Sequence, residues 1–168
     1  GERCVGLYHA IGRGGSFERH PKNWIENNIL LEHVLVVCRH TKEMVFCFIK
    51  NEAVFSDATS VFSLSSFSDF AVLQSSIHST FAWKNASRMG AATMRYTPTD
   101  VYRPFPRPAS NDFSVLETLG SNYHDFRSKI MNDEGVGLTK LYNLFHNPDC
   151  HEAAIDQMRG MHQQLDVA

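Results

Sequence analysis

His146, Asp149, Cys150 and His151 crowd imidazole, carboxylate and thiol groups together, and His162 follows in the next helical pattern, so metal binding is the first chemistry this chain suggests. Their spacing fits no zinc pattern, and His-Asn-Pro-Asp is equally ordinary chemistry for ending a helix and turning the chain. The structural reading is preferred and no metal is expected. Gly12–Ser16, GRGGS, is the only glycine cluster; it follows no convincing strand, holds no lysine to meet a phosphate, and reads as a surface loop. Serines are abundant but none sits in a Gly-x-Ser-x-Gly elbow. No Asp or Glu is followed two residues later by lysine, as a common carboxylate nuclease needs, and no Asn-Pro-Pro-aromatic loop for amino methylation occurs. No catalytic residue is expected, which favours binding.

Binding has a candidate seat. Between Lys84 and Arg107 the charged residues are Lys84, Arg88, Arg95, Arg103 and Arg107 against the single acid Asp100, in a chain whose formal net charge is -2. Arg95–Pro108, RYTPTDVYRPFPRP, mixes these cations with aromatics and prolines. Cations neutralise phosphates and arginine pairs bidentately with guanine in the major groove, while hydroxyls such as those of Tyr96, Thr97 and Thr99 suit backbone contacts. The competing reading is a loop whose prolines and aromatics serve packing.

The elements that must position this island are those of one ordinary globular domain. Hydrophobic residues make up 43% and charged residues 20%, and no apolar run reaches the length needed to span a bilayer, so the expectation is a cytoplasmic protein with no membrane partner. Cys4, Cys38, Cys47 and Cys150 form no Cys-x-x-Cys pair and read as reduced thiols. HVLVVCR (His33–Arg39) and MVFCFIK (Met44–Lys50) predict an antiparallel hairpin, with short strands at Ala53–Phe55 and Thr59–Leu64. Ser68 is the expected cap of a helix bearing Phe70, Leu73, Ile77 and Phe81, laid on the sheet. Leu116, Leu119, Tyr123, Phe126 and Ile130 predict a long amphipathic helix capped by Asn111 or Asp112. Leu138–Phe145 predicts a shorter helix ending at His146; Ile155, Met158, His162 and Leu165 predict a third, whose pattern runs up to Ala168 and suggests a piece of a longer protein. The fold class is therefore α+β: a small, mostly antiparallel sheet with a packed helix, then a C-terminal helical segment.

Four strings in fixed order carry a resemblance: HVLVVCR with MVFCFI, FSDFAVLQSSIHSTFAW (Phe67–Trp83), MRYTPTDVYRPFP (Met94–Pro106) and GLTKLYNLFHNPD (Gly137–Asp149). Together they resemble the C-terminal target-recognition region of MmeI-like (type IIG/IIL) restriction-modification DNA methyltransferases. The resemblance implies a division into residues 1–32, irregular; 33–108, an α/β DNA target-recognition region; and 109–168, a C-terminal helical region of a larger enzyme. It implies double-stranded DNA and the methyltransferase region of the same polypeptide as partners, in a prokaryotic phage-defence setting. S-adenosylmethionine, and Mg for a nuclease part, would belong to that full-length protein, with no cofactor in this fragment. Residues 12–28 depart from the pattern, which leaves the roles of Arg13, Arg19 and Lys22 open.

In the family, bases are read just before and within the RYTP-like motif, which places the base-reading candidates at Ser87, Arg88, Ala92, Thr93 and Arg95. Arg88 and Thr93 are the expected discriminators. Lys84, Tyr96, Thr97, Thr99 and Arg103 are the backbone candidates, and Arg95 and Tyr96 are expected to grip phosphates or shape the loop. A loop-holding salt bridge is the alternative for Arg95. The alternative for the whole chain is a protein-protein assembly module of a restriction or phage-defence complex that reads no bases.

Overall fold

A computed structural model describes residues 31–51, 55–109 and 112–168. In chain order the described elements are β1 (His33–Cys38), β2 (His40–Thr41), β3 (Phe46–Lys50), β4 (Thr59–Phe62), α1 (Phe67–Gln74), α2 (Ser76–Asn85), β5 (Ser87–Met89), β6 (Thr93–Arg95), α3 (Ser114–Asp133), α4 (Leu138–His146) and α5 (Ala153–Val167). They form two compact units. The first takes the described residues up to Ser65 together with His78–Pro106; the second takes Ser66–Ile77 and those from Arg107 to Ala168. The α+β class read from the sequence is the class observed.

The first unit holds two three-stranded antiparallel sheets, ordered β3-β1-β4 and β2-β6-β5. The expected hairpin is present, with Leu35 opposite Phe48 and Val37 opposite Phe46, and β4 pairs along the other side of β1. Because β1 is central, Val34 to Val37 are all buried, which is why its sequence is an unbroken apolar run rather than an alternation. Val34, Val36 and Val61 pack with Leu31, Cys47 and Phe55 on one face. Phe46 and Phe62 pack on Tyr96, with ring centroids 5.9 and 6.1 Å away, and Phe46 meets His78 of α2 at 5.7 Å. The strand expected at Ala53–Phe55 falls partly outside the described residues.

The expected single helix after Ser68 is two helices. Ser66 caps α1, its Oγ accepting from the Asp69 N–H at 3.1 Å, so the cap lies two residues earlier than the sequence suggested. The helix stops where Ser75 turns extended and its hydroxyl donates to the Val72 carbonyl; Asp166 takes the freed N–H of Ser76 at 2.7 Å. Serine side chains competing for backbone partners explain the break, and Ile77, expected in the core, is 58% exposed. Within the second unit α1 packs on α3, where Gly120 admits the Phe67 carbonyl oxygen so closely that no Cβ would fit. Glu117 of α3 accepts the first N–H groups of α1, from Phe67 at 3.1 Å and Ser68 at 2.7 Å.

In this second unit Asp112 accepts from Ser114 at 2.9 Å where α3 begins; Asn111, the other expected cap, lies outside the described residues. Leu116, Tyr123 and Ile130 are buried as expected, whereas Leu119 and Phe126 are only partly buried and Arg127 is buried instead. The Arg127 guanidinium lies 5.2 Å from the Phe70 ring and donates to the Tyr142 hydroxyl at 3.2 Å, itself 3.0 Å from the Tyr123 hydroxyl. Burial first, then Tyr142, push the Tyr123 phenol well above its ordinary range, so it stays neutral. Along α5 the four expected residues Ile155, Met158, His162 and Leu165 are all buried.

Candidate nucleic-acid interface

In the first unit, β5 and β6 form a short hairpin that β2 extends on the far side of β6. Its tip is Gly90, Ala91 and Ala92, and Gly90 has φ +71°, where a side chain would be strained. Residues directly opposite in an antiparallel pair project from the same face, and successive residues alternate. His40 and Ser87 both stand opposite Arg95, and Met89 stands opposite Thr93. Those five residues share one face. Thr41 and Arg88 both stand opposite Met94, on the other.

The two faces differ in kind. Met94 is fully buried, and Tyr96, which follows the strand with the same alternation, is buried with it. Its ring fills the core and its hydroxyl lies 3.4 Å from His78 Nε2. Tyr96, expected to offer a hydroxyl to a DNA backbone, lies on the inward face and is fully buried. His40, Ser87, Met89 and Arg95 are exposed and Thr93 is half-buried, so the opposite face is open.

Arg95 has no hydrogen-bond or ion-pair partner among the described residues. Its charge neighbour is another cation: Arg39, 5% exposed, has its basicity lowered first by burial and then by Arg95, with Asp57 opposing. Arg39 also fastens the neighbouring backbone, donating to the Asp57 carbonyl at 3.0 Å while its own carbonyl accepts from Tyr96 at 2.7 Å. The salt bridge considered for Arg95 is therefore not found among the described residues, and its guanidinium stands outward against repulsion.

Arg88 is placed elsewhere. Its guanidinium reaches the Trp83 carbonyl at 3.4 Å and lies 6.0 Å from the Trp83 ring, at the end of α2. The structure thus does not bring Arg88 together with Thr93 and Arg95. Ala92 is at the hairpin tip, and exposed Lys84 lies in the last turn of α2. Thr97 and Pro98 carbonyls accept from Asp100 to Arg103 in a tight turn; Thr97 is half-buried, Thr99 donates to Asp100 at 3.0 Å, and Arg103 is exposed. Val101, Tyr102 and Phe105 are buried, Tyr102 against Phe62 at 4.9 Å and Phe105 against His78 at 4.5 Å. The aromatic part of the RYTP run is packing, as its competing reading held. Arg107, counted in the basic island, belongs to the second unit and pairs with Asp69 at 2.9 Å.

In the second unit the His146–His151 segment is organised by a different residue. The Arg159 guanidinium donates to the carbonyls of Leu144, Phe145, Asn147 and Cys150, and to Asp156. Among the described residues no three His, Cys, Asp or Glu side chains group as metal ligands. The sequence pattern gave no sign of Arg159, whose four carbonyl acceptors are irregular in spacing. His40 and Met89 were also missed; only the strand register groups them with Arg95.

No family model and no curated protein matches the chain. Among solved structures it is similar to the type IIL restriction-modification enzyme MmeI, whose structure was determined in complex with DNA, with a TM-score of 0.65 and 20% sequence identity. The match covers 80% of this chain and 17% of that one, so the chain spans a small part of that enzyme's length. What is shared at this identity is the fold. No described helix is long and apolar enough to cross a membrane.

Proposed function

We propose that this chain recognises a specific double-stranded DNA sequence as the target-recognition part of a type II restriction-modification enzyme. The carrying observation is the outward face of β2-β6-β5, where Arg95, beside a second arginine, has no acceptor among the described residues. The major groove admits a two-stranded ribbon such as the β5-β6 hairpin, and a guanidinium suits guanine or phosphate. The fold shared with part of MmeI, a protein solved with DNA, supports the same reading.

The enzyme chemistry is assigned outside these residues. The sequence has no Asn-Pro-Pro-aromatic loop, which supports placing S-adenosylmethionine in another region. Adenine methylation, and any Mg-dependent cleavage, would belong to other regions of a longer polypeptide in a prokaryotic cytoplasm. The test is fluorescence anisotropy of the chain with randomised duplex DNA at low salt, followed by selection of enriched sequences. Binding that weakens as salt rises and converges on one sequence is expected. Salt-independent association with protein and none with DNA would favour an assembly module instead.

A further inference from the structure

We propose that Met89 is a specificity-determining residue that contacts a thymine 5-methyl group in the major groove, within a reading row formed by His40, Ser87, Met89, Thr93 and Arg95. The inference rests on the DNA-reading function above. Met89 is 58% exposed although it is a large apolar residue in a strand, and it stands opposite Thr93 on the same face as Arg95. Neighbouring side chains leave it open: the hairpin tip carries nothing larger than alanine, and a Cβ built at Gly90 would meet no atom within 4 Å.

Chemistry selects the occupant. The row pairs a cation lacking an acceptor with hydroxyls and one flexible thioether, and no carboxylate is paired with its arginine among the described residues. A thymine in the major groove offers both a carbonyl acceptor and a methyl group, next to phosphates that complement Arg95. A purely apolar partner would leave Arg95 facing nothing, whereas a phosphate-only contact would leave Met89 wet. The small tip lets the ribbon approach the groove floor, and Met89 is the only side chain of the row with an apolar end long enough to profit from it. Arg88, turned to Trp83 from the other face, is outside the row.

The test uses the whole chain and the duplex it enriches from a randomised library. Each thymine of that duplex is replaced in turn by deoxyuridine, which removes only the methyl. One replacement is expected to weaken wild-type binding roughly fourfold, the worth of one methyl group. Met89→Ala, at an exposed position that leaves the core intact, should bind thymine and deoxyuridine duplexes equally while retaining the wild-type salt slope. A wild type indifferent to every replacement, or a Met89→Ala variant that keeps the preference, overturns the assignment while DNA reading stands. Failure to enrich any duplex overturns both.

Discussion

Gly120→Ala and Gly160→Ala are the same substitution in two helices of the second unit, and the structure assigns them opposite signs. In a helix interior alanine is favoured over glycine by about 1 kcal/mol, and this is the whole effect at Gly160, where an added Cβ meets nothing within 4 Å. At Gly120 the added Cβ would fall on the Phe67 carbonyl oxygen, with the Ala71 Cβ at 3.2 Å. A backbone oxygen at the start of α1 cannot swing aside as a side chain would. The helices must part, and a gap of 0.5 to 1 Å forfeits roughly a quarter to a half of each dispersion contact along the seam, including Phe70 against Tyr123. Forcing extra volume into packed contacts costs roughly 1 to 3 kcal/mol, so after the propensity gain Gly120→Ala should destabilise by up to about 2 kcal/mol. Urea unfolding followed by far-ultraviolet circular dichroism measures both variants. A Gly120→Ala midpoint raised alongside that of Gly160→Ala would refute the close approach of α1 and α3.

Arg95→Ala should leave stability unchanged or slightly raised, since it relieves repulsion with Arg39 and breaks no ion pair, while DNA affinity falls by roughly tenfold, about the worth of a lost base or phosphate contact; parallel thermal melts and anisotropy titrations check this, and a lower melting temperature would return Arg95 to a structural role. Arg159→Ala should destabilise the second unit by about 2 to 4 kcal/mol, because charge-assisted bonds to the last carbonyls of α4 are lost, and Arg159→Lys should recover only part of that, since one ammonium cannot span the set; chemical unfolding reads both. His162 donates from Nε2 to the Gln74 carbonyl at 3.0 Å, and burial, outweighing Asp166, lowers its basicity. The unfolded chain therefore binds this proton first, so stability should fall as pH drops below about 6.5. His162→Gln, which keeps an N–H donor, should show a shallower decline in unfolding free energy over that range, and an unchanged slope would count against the assignment.

What the sequence made legible follows from which interactions are local. The apolar runs of β1 and β3 and the stripe Ile155, Met158, His162 and Leu165 declare themselves through periodicity, and they occupy the expected places. The break at Ser75 was hidden because the apolar spacing continues through it, while the decisive partner, Asp166, is remote in sequence. Arg127 lay outside the apolar spacing read for α3; only tertiary contact with Phe70 and Tyr142 explains its burial. In the site, the segment from Ser87 to Arg95 was legible as a region but not as a surface. Sequence adjacency put Arg88, Arg95 and Arg107 in one basic island; the pleat sets Arg88 and Arg95 on opposite faces, and Arg107 is engaged by the Asp69 carboxylate.

That dispersal bears on how recognition would work. Of the island's cations, Lys84, Arg88, Arg95 and Arg103 have no ion-pair partner among the described residues, and the chain carries a formal net charge of -2. Each phosphate neutralised contributes about 0.9 to the slope of log affinity against log salt, so even full engagement of all four gives a slope no steeper than about -3.6. An island of four cations by itself holds random DNA weakly. Preference for one sequence must then come from contacts at base edges, and an outward row suited to them among the described residues joins Arg95 with His40, Ser87, Met89 and Thr93. On this reasoning exchange of the side chains in that row changes which sequence is preferred more than how tightly DNA is held. Loss of Lys84 weakens all sequences alike. A selection experiment on row variants separates the two effects, since unchanged sequence preference across every variant would place base reading elsewhere.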